Sequence, residues 1–171
     1  MQHKSPYIIL TARPMVWRLR FVYDDIYSLA SGETAYEDHR NTQVNSDRQV
    51  MMDDDRPIFN YYLSIAISDL TGLLARRLDP MLRITLPDGT LIENNGIVES
   101  ANDVEFYMVM DQNHESLLLS SMHRHCTDFL VKRVLEQWYK REGLSKQAKA
   151  DIIKVLEFRR KPVRRPIRNM L

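Results

Sequence analysis

The side chains best equipped for chemistry in this sequence are His114, His123, His125 and Cys126. Beside them stand the run Asp53-Asp54-Asp55 and the basic stretch Arg159 to Arg168. Imidazoles and a thiol can ligate a metal or form a nucleophilic pair. On a helix, however, positions 123 and 125 stand about 200° apart, so their rings cannot meet at one ion. Cys126 keeps helical register with Met122 and Phe129 and reads as a buried thiol. His123 is within reach of it, yet nothing nearby supplies an orienting third group or oxyanion donors. The three aspartates before Pro57 suit the start of a helix, where a carboxylate caps free N–H groups and offsets the dipole. No phosphate-binding glycine loop, serine elbow or zincin motif occurs. The reading is a protein with no catalytic residue, no cofactor and no metal, hence not an enzyme.

The stretch RRKPVRRPIR, Arg159 to Arg168, is the one specific-looking motif. It holds six of the 24 basic residues, and no acid lies beyond Glu157. Residues 1–158 therefore carry 18 basic against 23 acidic side chains, a net of −5, and the last 13 residues carry +6. Pro162 and Pro166 favour an extended backbone. Arg159, Arg160, Lys161, Arg164, Arg165 and Arg168 could bind phosphate or carboxylate. Val163 and Ile167 interleave them, which favours a protein surface over nucleic acid, since a phosphate binder has no use for apolar side chains. DNA remains the alternative partner.

The elements that would position these groups are legible in part. With 44% hydrophobic and 27% charged residues in 171, a single globular body is expected. Five glycines, well below the usual ~7%, argue for a helix-rich chain. One cysteine excludes a disulfide framework, and no membrane span or signal segment is expected, so a reducing cytoplasm fits. Trp17, Leu19, Phe21 and Tyr23 alternate with Arg18, Arg20 and Asp24, as in a half-buried strand. Residues 28–55 show no apolar period and read as an extended polar segment. Phe59, Leu63, Ile67, Leu70 and Leu74 mark a helix over about 57–78. Asp88-Gly89 signals a hairpin, and residues 103–111 a further strand. Leu118 through Trp138 predict a second long helix over about 114–141, capped by Gly143. A third, shorter helix should follow over about 144–156. Leu63, Ile67, Leu70, Leu74, Leu118, Met122, Phe129, Val134, Trp138, Ile152 and Leu156 should share one core.

The fold class expected is thus mainly α within α+β: an antiparallel bundle of two long helices and a shorter C-terminal one. It carries a small antiparallel β-insert at about 81–111 that projects toward another chain. The parts divide as an N-terminal strand and polar arm (1–56), a helical body (57–158) and a basic Pro/Arg-rich arm (159–171).

In this order of parts the chain resembles the head–tail connector (adaptor, or neck) proteins of tailed bacteriophages, in the forms found in phages and prophages of gut Bacteroidetes. The likeness covers roughly residues 57–168 and includes FLVKRVLEQWYKREGL, Phe129 to Leu144, and RRKPVRRP, Arg159 to Pro166. It implies a structural virion protein without enzymatic activity. It further implies a ring of about twelve copies in the neck, between the portal and tail proteins and around the DNA channel. Such a protein would be made in the host cytoplasm, have no membrane partner, and touch channel DNA only non-specifically. A nucleic-acid-binding regulator using the basic arm is the alternative.

Overall fold

The computed structural model describes residues 6–12, 15–40, 50–78, 82–85, 88–111 and 116–158. They form a mixed α+β fold with a four-stranded antiparallel sheet and four helices. The strands are β1 (Tyr7–Ala12), β2 (Met15–Val22), β3 (Leu82–Thr85), β4 (Leu91–Asn94), β5 (Ile97–Glu99) and β6 (Asp103–Met110). The helices are α1 (Tyr23–Arg40), α2 (Arg56–Leu74), α3 (Leu117–Tyr139) and α4 (Lys146–Glu157). The main sheet runs β1-β2-β6-β5, and β3 pairs only with β4 in a separate hairpin. The hairpin turns at Asp88-Gly89, where Gly89 takes φ +88 and Asp88 accepts the Thr90 N–H at 2.9 Å.

The alternation in β2 sets one face of the sheet. Trp17, Leu19 and Phe21 are buried, and across the β2–β6 ladder Met108, Phe106 and Val104 stand opposite them. Against this face pack the helices. From α2 come Phe59, Leu63, Ala66, Ile67, Leu70 and Leu74, and from α3 Met122, Cys126, Phe129 and Val134. α3 touches α1, α2, α4 and the sheet, which is why its apolar face is so wide. α4 closes the far side with Ala148, Ile152 and Val155. Eight of the eleven expected core residues are buried, and Leu118, Trp138 and Leu156 are partly buried against the same cluster.

Four expectations are corrected. Residues 28–40, read as part of an extended polar segment, belong to α1 and hence to the body. Its buried stripe is only Ile26, Ala30 and Thr34, one residue per turn, too narrow and too small to register as apolar periodicity. There are accordingly three helices of 18, 19 and 23 residues and a shorter one of 12, rather than two long and one short. The β-insert is not a free projection either. β6 lies inside the sheet between β2 and β5, with Val104, Phe106, Tyr107, Met108 and Met110 buried, so the N-terminal strands and the insert build one core. Finally, α3 ends at Lys140, which adopts φ 52 itself, three residues before Gly143. By length and composition alone Asp53–Arg77 is apolar enough to cross a membrane. In the fold its apolar stripe faces the core.

The return from α1 to α2 is pinned by side chains. Thr34 Oγ1 accepts the Met51 N–H at 2.9 Å, Ser31 Oγ donates to the Met51 carbonyl at 2.9 Å, and Met51 itself is buried. Asp53–Asp55 form a short 3-10 turn leading into α2, with Asp55 accepting the Met52 N–H at 2.9 Å. Truncating Phe129 to alanine should cost about 3–5 kcal/mol of stability, whereas the partly buried Trp138 should cost clearly less. Urea unfolding of both variants checks this, and equal losses would contradict the packing described.

Candidate functional site

The eight side chains of the basic arm singled out by sequence, Arg159, Arg160, Lys161, Val163, Arg164, Arg165, Ile167 and Arg168, lie outside the described residues. His114 lies outside them too, and the remaining candidates are placed. His123 Nε2 lies 2.9 Å from the Arg20 carbonyl, an arrangement in which the ring N–H donates. Its ring stacks on Phe21 at 4.8 Å and 6°. Burial holds its pKa below the ordinary histidine value, despite the Arg20 carbonyl and the charge of Asp25. His125 instead faces α4, with Nδ1 3.8 Å from Asp151. The two rings thus serve different elements. Cys126 is fully buried, and desolvation pushes its thiol far up. Among the described residues no three His, Cys, Asp or Glu side chains converge as metal ligands would.

The strand arginines have their acidic surface within the same sheet. Arg18 Nε donates to Glu105 at 2.6 Å, and Arg20 Nε donates to Asp103 at 2.7 Å, each a diagonal neighbour across the β2–β6 ladder. Tyr107 OH also donates to Glu105, at 2.5 Å, and is itself buried. Burial pushes the Glu105 carboxyl up, but the hydrogen bonds from Arg18 and Tyr107 and the Arg18 charge outweigh it, leaving the pKa below the ordinary range. The Tyr107 hydroxyl is raised by burial and by the same carboxylate. This trio is a structural clasp on the sheet's outer face, since all of its polar groups answer one another.

The remaining features are grooves. One, of about 560 Å³, opens between α1, α2 and the end of α3, with Tyr62, Trp138 and Leu144 among its walls and Glu33 3.6 Å from Lys132 at its rim. Two others are continuous along α2. A hollow of about 410 Å³ is lined by Asp24, Arg56, Leu63 and Asn102, and a second of about 300 Å³ by Thr71, Ile97 and Glu99. They share Tyr23, Ser64 and Ile67. Sequence reasoning missed this groove because its walls come from α1, α2, β5 and the loop before β6, which no local pattern joins.

No protein-family model, curated protein or solved structure matches this chain.

Two outcomes follow from the buried groups. A carboxylate held below its unfolded pKa adds stability above the ordinary glutamate value near ~4.3 that is lost as pH falls through the lower folded value. Glu105→Gln should therefore lower stability at pH 7 and flatten the loss of stability below about pH 4. Denaturant titrations at pH 3 to 7 measure this, and parallel pH profiles for both proteins would contradict it. Cys126 should resist a thiol reagent in the native protein and react on unfolding, and prompt native labelling would refute its burial.

Proposed function

We propose that this chain is a structural protein of a phage neck, a subunit of a ring that joins portal to tail around the DNA channel. The observation that carries the reading is the separation of charge between body and arm. Residues 1–158 carry a net of −5, and within them Arg18 pairs with Glu105, Arg20 with Asp103 and Arg133 with Asp69. The excess of positive charge is concentrated in residues 159–171, where two apolar side chains interleave six cations. That pattern suits a subunit that grips a neighbouring protein surface. The order of parts shared with head–tail connectors supports it.

In this reading α2, α3 and α4 act as the antiparallel helical frame of the connector, braced by α1 and the sheet, and the basic segment acts as an arm. The exposed Ile58 and Tyr61 on α2 suit a face that meets another subunit. The partners are further copies, about twelve to a ring, and the portal and tail proteins above and below. The place of action is the virion neck, after synthesis in the host cytoplasm.

Mass photometry and negative-stain microscopy of the purified chain, alone and with the portal protein of the same genome, test the reading. Closed rings, or stoichiometric capture by the portal, are the expected result. A monomer that ignores the portal but binds duplex DNA with a log–log salt slope near −5, as about six neutralised phosphates require, would replace it with the nucleic-acid reading.

A further inference from the structure

We propose that the β3–β4 hairpin of one copy of this chain pairs with the outer edge of β1 on the next, so that the main sheet continues from subunit to subunit. The inference rests on the ring proposed above and names the contact that would join its members. β1 ends the sheet order β1-β2-β6-β5, and among the described residues no strand pairs with its outer side. The Arg20 N–H donates to the Pro6 carbonyl at 2.7 Å, and the register alternates from there. Ile8 therefore bonds to β2, while Tyr7 and Ile9 turn N–H and C=O outward. Ile9 stands opposite the fully buried Trp17 on the core face, yet it is 42% exposed. The apolar layer is thus unfinished on this side. From Tyr7 to Ala12 the strand holds no charge and no proline, the usual guards of a bare edge. A further strand would complete both its hydrogen bonds and its apolar layer.

The hairpin has the pattern of such a strand. β3 and β4 pair only with each other among the described residues, and two strands alone are marginal in water. Their register places Leu82, Ile84 and Ile92 on one face and Arg83, Thr85, Leu91 and Glu93 on the other, where Arg83 and Glu93 are ion-paired at 2.8 Å. The main sheet is divided the same way, apolar toward the helices and with Arg18 and Glu105 paired outside. A hairpin aligned with β1 extends both layers, its apolar face beside Ile9 and its ion pair on the side of the clasp. The roots of the hairpin make a second copy the partner. Leu78 bridges Met108, and the Tyr107 N–H donates to the Gly96 carbonyl at 2.8 Å, both on the β5 side of β6. The hairpin thus leaves and rejoins the body at one edge of the sheet. β1 lies at the other, three strand spacings or about 14 Å away. Donor and acceptor on opposite edges make the contact heterologous, and it closes into a ring when the rotation permits. A two-fold pairing of β1 with β1 would leave the hairpin unmatched.

Two variants separate this from its rivals. Ile9→Pro removes an outward N–H and keeps the bonds to β2, at a position where an edge strand tolerates proline. The second variant replaces residues 82–94 with a short Gly/Ser linker. Should that deletion unfold the chain, Gly89→Val strains the turn at φ +88 and opens the hairpin by one substitution. Circular dichroism verifies that each variant folds. In sedimentation velocity the unaltered chain should self-associate and each variant alone should be monomeric. An equimolar mixture should form a heterodimer, because one partner supplies the hairpin and the other the open edge. That heterodimer should persist at high salt, unlike a contact made by exposed charges. A hairpin variant that still dimerises while Ile9→Pro does not would show two-fold pairing of β1 and overturn the proposal. A mixture that stays monomeric, or variants that assemble as well as the unaltered chain, would also overturn it, while leaving the ring to other surfaces. An unaltered chain that is monomeric at every concentration would overturn it too, and one that also ignores the portal would remove the ring reading with it.

Discussion

Eight consecutive residue pairs, from Met15 with Met110 to Val22 with Asp103, hold β2 against β6, and the other layers of the protein depend on that ladder. Its inner face presents Trp17, Leu19, Phe21, Val104, Phe106 and Met108 to the helices. Its outer face carries the clasp of Arg18, Glu105 and Tyr107. One register serves both, because a shift of a single residue would turn the charged side chains into the core. β1 and β5 then attach to its two sides, and β5 forms one wall of the groove along α2. The separation between a buried apolar layer and an outer ionic layer is thus a property of this pair of strands.

The strong periodicities read through to the fold. The α2 stripe from Phe59 to Leu74 and the α3 stripe through Met122, Cys126 and Phe129 lie in the core, since large apolar side chains at helical spacing leave little alternative. β6 was equally legible as a strand, but its place in the sheet was not, because pairing with β2 is a relation between segments far apart in sequence. α1 escaped for a different reason. Ala30 and Thr34 fit closely against neighbours without being large or strongly apolar, and their burial is imposed by tertiary packing.

The candidate site divides along the same line. The composition of the basic arm is plain in the sequence, and so is its alternation of charge with aliphatic residues. The groove along α2, by contrast, is assembled from residues near 24, 56, 67 and 99, which come together only when the sheet and α2 are in place. Likewise the partners of Arg18 and Arg20 are carboxylates of the adjacent strand, which the alternation within β2 alone does not identify.

The separation of β2 from β6 also governs how the chain must fold. Residues 23–102 intervene, and closing a loop of that size costs roughly 4 kcal/mol of chain entropy before any ladder contact is gained. During synthesis β2 emerges long before its partner, with Trp17, Leu19 and Phe21 uncovered and its backbone edge open. A bare strand of that kind is a template for misassociation between nascent chains. Arg18 and Arg20 sit between those three residues, so any two unpaired β2 segments that meet in register bring like charges together. The same two arginines that lock the finished sheet thereby guard the unfinished one.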